Sequence, residues 1–290
     1  MTKFNKGIFS TFVGSFWWGV IGVLYFKYIS FVNPLEVVSH RVLWTIIFLG
    51  LYIIARGRIN LIINTLKNKK KFILLFFSGL LIFINWSTWI YAVSINKLVD
   101  ASFGYYIFPI LSLFFANIFL GEKLNFKKKI SISIIIISII YMMYYLNEFP
   151  WIGLVVALSF SLYAVLRKLA MAATDVGLFI ESIFLIPIII FIFYNLNLEK
   201  EIAFSLQNIN LSMILILAGP MTVIPLFLFV KGSEFSGLGA ASMIFFVAPT
   251  GQFLLGLFLF NEPFLINKLI GFILIWFAVL IYLRDLYENN

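Results

Sequence analysis

Long uninterrupted apolar segments constrain this chain more than any other feature of its sequence. The segment KFILLFFSGLLIFINWSTWIYAV (71–93) carries a single charge, at its first residue. As a helix rising about 1.5 Å per residue, it is long enough to cross a hydrocarbon core about 30 Å thick. Since 63% of the 290 residues are hydrophobic and only 11% are charged, the chain cannot cover itself with a polar surface. These observations predict a polytopic membrane protein.

Helices are the expected spanning element, because a helix satisfies its own backbone hydrogen bonds in lipid. Apolar runs between charged or turn-rich breaks predict an all-α protein with ten transmembrane helices. The predicted spans are 7–29, 34–55, 72–95, 99–120, 126–146, 149–169, 175–194, 209–230, 236–260 and 266–284. Most breaks are short, which makes consecutive helices antiparallel neighbours. The two longer breaks, 56–71 and 195–208, are polar and are not expected to form domains.

The placement of lysine and arginine predicts the orientation of the chain. With a cytoplasmic N-terminus, 16 of the 21 basic residues fall on the cytoplasmic side, four on the other side, and one, Arg41, within a span. Positive charge in short loops favours the cytoplasmic side, so both termini are predicted to be cytoplasmic. The net charge of +9 is then an orientation signal, and nucleic acid is not an expected partner.

The chain also contains an internal repeat with an offset of 140 residues, which aligns 98–122 with 238–262. The identical pairs are Leu98/Leu238, Ala101/Ala241, Ser102/Ser242, Pro109/Pro249 and Glu122/Glu262. The offset pairs helices five positions apart, so the two copies cross the membrane in opposite directions. Inverted repeats of this kind are the usual architecture of secondary transporters, which bind substrate near the midplane. We therefore predict two five-helix repeats, residues 1–146 and 147–290.

Arg41 is the first candidate for function, because an ionisable group inside a span costs about 2.5–3.5 kcal/mol on insertion scales. It lies in the segment NPLEVVSHRVLW (33–44), where it is expected to attract an anionic or carbonyl group of a solute. Two alternatives are that Arg41 reaches the lipid headgroups, or that it pairs with Asp100 at the start of the fourth span. Asp100 is for this reason included among the candidate gating residues.

Glu181, in the segment DVGLFIESIFLIP (175–187), is the counterpart of Arg41 under the 140-residue offset. The predicted depths place the two residues on either side of a central cavity and not in contact. Glu181 is the candidate proton carrier if transport is proton-coupled. The alternative is an ion pair with Arg167 or Lys168 at the end of the preceding span.

The remaining candidates are weaker. His40 is the single histidine and could carry a proton, although packing and hydrogen bonding are the more common roles of such a residue. A lone histidine in a chain without cysteine does not form a metal site, so no metal and no cofactor are expected. Prolines within spans break backbone hydrogen bonds, and the repeat counterparts Pro109 and Pro249 are the preferred hinges.

Polar and aromatic side chains at membrane depth predict a pocket for an organic, partly polar solute. They are Asn85, Trp86, Trp89 and Tyr91 on the third span, Tyr105 on the fourth and Gln252 on the ninth. For any single aromatic residue, packing against lipid or protein is the alternative. The buried amides are stronger candidates, because they require hydrogen-bond partners.

Several of these segments together resemble the RarD group of the EamA-like drug/metabolite transporters. The resemblance is carried by NPLEVVSHRVLW (33–44), by residues 85–124, by LRKLA with GLFIESIFLIP (166–187), by TVIPLFLF (222–229) and by FFVAPTGQFLLGLFLFNEPF (245–264). It implies ten helices in two inverted repeats, a plasma-membrane location and transport of small organic molecules. Two positions depart from the pattern of RarD-like sequences, since Phe108 replaces an asparagine and Phe245 a glutamine. Both departures remove an amide near the predicted cavity.

The sequence thus predicts a secondary transporter, and not an enzyme, that moves a small organic metabolite or drug across the plasma membrane by alternating access. Its partners would be the solute, the lipid bilayer and, as a candidate coupling ion, the proton. A non-transporting membrane sensor or assembly partner is the alternative, and a membrane-embedded transferase is a weaker one. A transferase would need clustered acid–base groups, and no such cluster is evident in the sequence.

Overall fold

The computed structural model describes residues 2–121, 124–146, 149–236, 241 and 244–288. Within these residues the protein consists of helices and connecting loops, without a β-strand. The repeat positions Glu122, Leu238 and Ser242 lie outside the described residues. The prediction of an all-α protein is confirmed.

The helices follow the predicted apolar runs closely. In chain order they are α1 (Lys3–Phe16), α2 (Gly22–Tyr28), α3 (Pro34–Ala55), α4 (Ile59–Lys67), α5 (Lys69–Ser94), α6 (Leu98–Leu120), α7 (Phe126–Leu146), α8 (Trp151–Ala170), α9 (Thr174–Phe184), α10 (Ile186–Glu199), α11 (Ile209–Ile216), α12 (Ala218–Ser236), α13 (Val247–Leu254) and α14 (Ile266–Glu288). A π-helical turn at Trp17–Ile21 joins α1 to α2, and a second at Leu255–Leu259 extends α13. The longer break at 56–71 contains the short helix α4.

Seven helical segments of the described chain are long and apolar enough to cross a membrane. They are Lys3–Tyr28, Pro34–Ala55, Lys69–Ser94, Leu98–Phe119, Trp151–Ala170, Leu206–Phe229 and Ile266–Asp285. Helices α9 and α10 form an eighth if the bent pair counts as one span. The other two predicted spans correspond to α7 and to the shorter apolar segment Val247–Leu259. The protein is therefore a multi-pass membrane protein. Ten spans were expected, whereas seven or eight helical segments of the described residues are long and apolar enough to cross a membrane.

The bend between α9 and α10 measures 45° and coincides with Pro187 in the first turn of α10. Proline has no backbone N–H and its ring clashes with the preceding turn, so a helix commonly kinks at this residue. Pro109, by contrast, lies inside α6, which continues through it. Pro249 lies in the first turn of α13.

The 140-residue offset found in the sequence also relates contacts in three dimensions. Helix α1 packs along α12, and α5 packs along α8. Under the offset, α8 is the counterpart of α1, and α12 is the counterpart of α5. The offset therefore maps one helix pair onto the other. Between α7 and α14, the Ser131 hydroxyl donates to the carbonyl of Ala278 (3.1 Å), and the Ser138 hydroxyl donates to that of Gly271 (2.8 Å). Gly271 and Ala278 are the counterparts of Ser131 and Ser138, because each lies 140 residues further along the chain. The offset therefore maps each of these two hydrogen-bonded residue pairs onto the other.

Helices α6 and α8 approach each other closely at two glycines, Gly104 and Gly153. A Cβ atom added to Gly104 would lie 2.3 Å from the carbonyl oxygen of Gly153. Small residues at such crossings let helix backbones approach in a membrane, where van der Waals packing is a main source of helix association. This crossing holds Tyr105, the residue after Gly104, against α8.

We expect Gly104→Val to destabilise the protein by at least about 2 kcal/mol, because the added side chain forces α6 away from α8. Thermal unfolding of the detergent-solubilised protein measures the effect. Leu158→Val, which trims an exposed side chain on α8, is the matched control and should leave the unfolding temperature nearly unchanged. Equal unfolding temperatures for Gly104→Val and wild type would contradict the close packing of these helices.

Candidate functional site

The start of α3 is defined by its own sequence. The side chain of Asn33 accepts a hydrogen bond from the backbone N–H of Leu35 (3.0 Å), and Pro34 occupies the first position of the helix. Asparagine at the N-cap and proline at the first turn are favourable, because the helix does not need the missing N–H there. The helix therefore begins where the sequence predicts, and it carries His40 and Arg41 into the protein interior.

Arg41 is only 7% exposed and lies between aromatic rings. The carbon atom of its guanidinium group is 4.3 Å from the ring centroid of Trp86 and 5.2 Å from that of Phe26. Its Nε has no hydrogen-bond partner among the described residues, and none of their carboxylates lies within 4.0 Å of the group. Cation–π contacts stabilise the group by about 0.5–2 kcal/mol each, but an aromatic ring carries no net charge. Among the described residues, the positive charge therefore has no neutralising partner.

The alternative partner considered for Arg41 is engaged elsewhere. The carboxylate of Asp100 forms an ion pair with Lys268 on α14, and both groups line a small cavity with Lys97 and Trp151. The pairing of Arg41 with Asp100 is therefore wrong, because Lys268 is the cation that lies beside Asp100. Arg41 does not pair with Glu181 either, which agrees with the different depths predicted for the two residues.

The other predicted site residues are linked by direct contacts. The Tyr105 hydroxyl donates to Asn85 Oδ1 (2.9 Å), and the indole N–H of Trp89 donates to Gln252 Oε1 (3.2 Å). Phe26 joins this second pair to Arg41, since its ring packs edge-on against Trp89 with centroids 5.5 Å apart. Tyr105 packs against the same buried cluster as Phe26 and Trp89, so the six predicted solute-binding residues lie in one neighbourhood. We call this neighbourhood the Arg41 site: Phe26, Arg41, Asn85, Trp86, Trp89, Tyr105 and Gln252.

Within the Arg41 site, Asn85 has a structural role. Its amide nitrogen donates to the carbonyl of Val156 (3.1 Å) and to the Ser159 hydroxyl (3.3 Å), while its oxygen accepts from Tyr105. These contacts fix α5 to α8 and use the hydrogen-bonding capacity that was expected to face a solute. Tyr91 also departs from the prediction, since it is exposed and packs beside Trp151.

Phe26, together with Tyr25, was missed by sequence reasoning. The Tyr25 hydroxyl donates to the carbonyl of Ile214 (2.7 Å) and so ties the first span to α11. Phe26 is 5% exposed and covers one face of the Arg41 guanidinium. Nothing in the pattern of the first span distinguishes these two rings from its lipid-facing aromatic residues.

Glu181 is fully buried in a second polar centre between α5, α8 and α9. Its carboxylate lies 3.5 Å from Arg167 Nε, accepts a hydrogen bond from the Ser78 hydroxyl, and is 3.5 Å from the Tyr163 hydroxyl. Gly177 makes room for this arrangement, because a Cβ atom at that position would overlap the Arg167 guanidinium. We call this group the Glu181 centre. The predicted alternative for Glu181, an ion pair with Arg167, is present in the structure.

A continuous series of partly buried rings joins the Arg41 site to the Glu181 centre. Tyr105 packs edge-on against Phe160 with centroids 5.7 Å apart, and Phe160 stacks on Tyr163 at 5.8 Å. The rings of Phe108 and Phe245, the two departures from the RarD-like pattern, meet at 5.3 Å, and Phe108 also contacts Phe160. The interval between the two polar centres is therefore lined by aromatic surface.

His40 is buried in a packed environment. Its Nδ1 accepts a hydrogen bond from the Trp44 indole N–H (3.2 Å), and its Nε2 lies 3.6 Å from the Glu36 carboxylate. The Glu36 carboxylate also accepts hydrogen bonds from the backbone N–H groups of Ala203 and Phe204. His40 thus supports the attachment of the 201–205 segment to α3. In the described part of the chain, no group of three or more His, Cys, Asp or Glu side chains is placed to hold a metal ion.

The structure combines several apolar membrane spans with a buried cation that lacks a carboxylate partner among the described residues and, separately, a buried ion pair. These are features of a membrane transporter. Comparison with known proteins agrees with this class. Residues 5–144 match the EamA-like transporter family. The chain is 31% identical over 282 residues to the uncharacterized transporter YojE of Bacillus subtilis (strain 168), covering 96% of this chain and 93% of the relative.

Two further relatives cover nearly the whole chain. An uncharacterized transporter of Vibrio cholerae is 30% identical over 281 residues, with 97% of this chain and 93% of the relative aligned. The protein RarD of Escherichia coli (strain K12) is 27% identical over 281 residues, with coverage of 97% and 95%. The chain belongs to the EamA-like transporter family and, within it, to the RarD group.

Proposed function

We propose that the protein is a secondary transporter that moves a small organic solute across the plasma membrane by alternating access, and that it is not an enzyme. The observation that carries this proposal is the Arg41 site. A buried guanidinium that lacks a carboxylate among the described residues is costly unless a mobile ligand completes it. A membrane protein that binds no ligand would have to bury this charge uncompensated.

The architecture supports the same proposal. The offset of 140 residues relates the helix pairs α1/α12 and α5/α8, and it exchanges the hydrogen bonds of Ser131 and Ser138. The family match at 5–144 ends close to the proposed boundary between the repeats 1–146 and 147–290. Two repeats of opposite orientation can exchange conformations, which opens a central site to one side and then to the other.

In the proposed cycle, the anionic or carbonyl group of the solute binds Arg41 while its body lies against the rings of Trp86 and Phe26. The two halves then rock about the regions of Pro109 and Pro249, and the site opens to the other side. The bend at Pro187 lies between α10 and α9, the helix that carries Glu181, so it adds a third place where a backbone adjustment is inexpensive. The proposed orientation places both termini in the cytoplasm.

Glu181 is the proposed proton carrier. Its carboxylate is buried beside Arg167 and Tyr163, and the aromatic contacts from Tyr105 to Tyr163 connect it to the Arg41 site. Protonation of Glu181 would release Arg167 from its ion pair and change the packing of α8 against α9. This change is the proposed link between a proton and the conformational exchange.

The transport proposal is tested by counterflow in proteoliposomes loaded with a panel of organic anions, amino acids, sugars and nucleosides. Saturable accumulation of at least one labelled solute, absent from protein-free liposomes, is the expected result. If no solute of the panel accumulates although the protein is folded and oriented, the interpretation as a non-transporting membrane protein gains support.

We expect Glu181→Gln to abolish proton-driven uptake and to leave counterflow exchange within about threefold of wild type. Glutamine keeps the shape of the side chain and an acceptor for Ser78, but it cannot carry the proton. Uptake is measured with and without an imposed pH gradient. Asp175→Asn, which removes the carboxylate paired with Arg58 at the start of α9, is the matched control and should keep its response to the gradient. Wild-type gradient dependence in Glu181→Gln would remove Glu181 from the coupling mechanism.

A further inference from the structure

The two buried arginines of the spans differ in their partners. Arg167 Nε lies 3.5 Å from the Glu181 carboxylate. Arg41 is 93% buried, stacks on Trp86 and Phe26, and has no carboxylate of the described residues within 4.0 Å. Among the described residues, one buried guanidinium has a carboxylate partner and the other has none.

The repeat shows what is missing. The offset of 140 residues relates Arg167 to Lys27 and Glu181 to Arg41. The second half therefore contains a cation and a carboxylate at positions where the first half contains two cations. Lys27 donates to the Asn96 side chain and lies 5.2 Å from the ring centroid of Phe260, so it is occupied at the end of its own helix. The described residues of the first half thus contain a buried cation, Arg41, at the position where the second half has a carboxylate, Glu181.

We infer that the transported solute is a monocarboxylate with an apolar or aromatic body and no cationic group, and that its carboxylate binds Arg41 as Glu181 binds Arg167. This inference rests on the proposed transport function and names the solute class for the same site. The carboxylate would give the buried guanidinium of Arg41 the anionic partner that Arg167 has in Glu181.

The geometry of Arg41 favours a carboxylate over other anions. Aromatic rings lie over the guanidinium group, so the N–H donors in its plane are the part available to a ligand. That planar fork matches the two oxygens of a carboxylate in a bidentate contact. One guanidinium neutralises one negative charge, whereas a phosphate dianion would bring a second, unneutralised charge into the membrane interior.

Four carboxylates of the described residues argue against a zwitterion, because none of them is free to pair with an ammonium group. Each of them is engaged by another group of the protein: Glu36 by the N–H groups of Ala203 and Phe204, Asp100 by Lys268, Glu181 by Arg167, and Glu262 by the N–H groups of Leu98 and Val99. The ammonium group of an amino acid would therefore be buried without an anionic partner, which is unfavourable. The rings of Trp86 and Phe26 beside Arg41, and the packed rings of Tyr105 and Phe160, provide surface for an apolar body instead.

The inference is tested with four probes of nearly equal size: phenylacetate, phenylacetamide, phenylalanine and phenyl phosphate. Binding to purified wild-type protein in lipid nanodiscs is measured by isothermal titration calorimetry at constant ionic strength. Phenylacetate is expected to bind at least about tenfold more tightly than each of the other three, because only it supplies a single charge-assisted hydrogen-bonded pair to Arg41.

Variants then place the binding at Arg41. Arg41→Gln should weaken phenylacetate binding at least about tenfold, and Arg41→Lys, which keeps the charge without the planar fork, should have an intermediate effect. Arg56→Gln is the matched control, since Arg56 lies at the other end of α3 and also contacts an aromatic ring, that of Tyr52. If Arg41→Gln does not fold, the comparison of the four probes on wild type and the Arg41→Lys result still decide the question.

Three outcomes overturn the inference. They are equal binding of phenylacetate and phenylacetamide, tighter binding of phenylalanine or phenyl phosphate, and no binding of any carboxylate. The transport proposal is judged separately by the counterflow panel. Accumulation of only a neutral or zwitterionic solute there would support the transport proposal and contradict the monocarboxylate inference. Phenylacetate binding without counterflow of any solute would support a carboxylate site at Arg41 and contradict the transport proposal.

Discussion

Arg41→Gln is expected to raise the unfolding temperature of the protein while it removes stabilisation by a bound carboxylate. Burying the guanidinium costs about 2.5–3.5 kcal/mol on insertion scales. Its contacts with Trp86 and Phe26 return about 0.5–2 kcal/mol each at most. Because no carboxylate of the described residues compensates the charge, a neutral side chain of similar length should stabilise the empty protein, by up to about 1 kcal/mol.

The measurement is thermal unfolding of wild type, Arg41→Gln and Arg56→Gln, each with and without phenylacetate. Arg56→Gln changes an exposed arginine that directly follows the same helix, and it should match wild type in both conditions. A lower unfolding temperature for Arg41→Gln without ligand would mean that Arg41 is structural. In that case an unrecognised partner stabilises it, and the Arg41 site is not the solute site.

The Glu181 centre is expected to show strong energetic coupling between its two charges. Arg167→Met leaves Glu181 buried without its cation, and Glu181→Met leaves Arg167 buried without its carboxylate. Breaking a buried ion pair by removing one partner costs about 3–5 kcal/mol. Replacing both partners by apolar side chains of similar volume is often neutral or stabilising, so the double variant should unfold near the wild-type temperature.

A double-mutant cycle of thermal or denaturant unfolding measures this coupling. The cycle should be repeated with Arg58 and Asp175, because Arg58 is about one-third exposed and this pair is expected to contribute less than about 1 kcal/mol. Additive losses for Arg167→Met and Glu181→Met would show that the two side chains act independently. The proposed release of Arg167 on protonation of Glu181 would then have no energetic basis.

The parts of this protein that sequence predicts well depend on local chemistry. The bounds of α3 follow from Asn33, Pro34 and the apolar run behind them. Arg41 stands out because a permanent cation is rare inside a span. The repeat could be found because Pro109 and Pro249 keep their places within two spans of otherwise changing sequence.

The parts that sequence does not predict depend on contacts between distant residues. Phe26 is one of 35 phenylalanines, and only the packing of the first span against α3 and α5 selects it to cover Arg41. Glu36 was not a candidate, because the N–H groups that it binds lie 167 and 168 residues further along the chain. Asp100 was assigned to the wrong cation for the same reason, since Lys268 reaches it from the other half of the chain.

The central claim is that Arg41 binds the transported solute, and counterflow of labelled phenylacetate tests it most directly. Proteoliposomes containing wild type, Arg41→Gln or Arg56→Gln are loaded with unlabelled phenylacetate, and protein-free liposomes correct for passive leak. The account predicts transient accumulation of label with wild type and Arg56→Gln, and no accumulation above leak with Arg41→Gln. Equal accumulation with wild type and Arg41→Gln would contradict it.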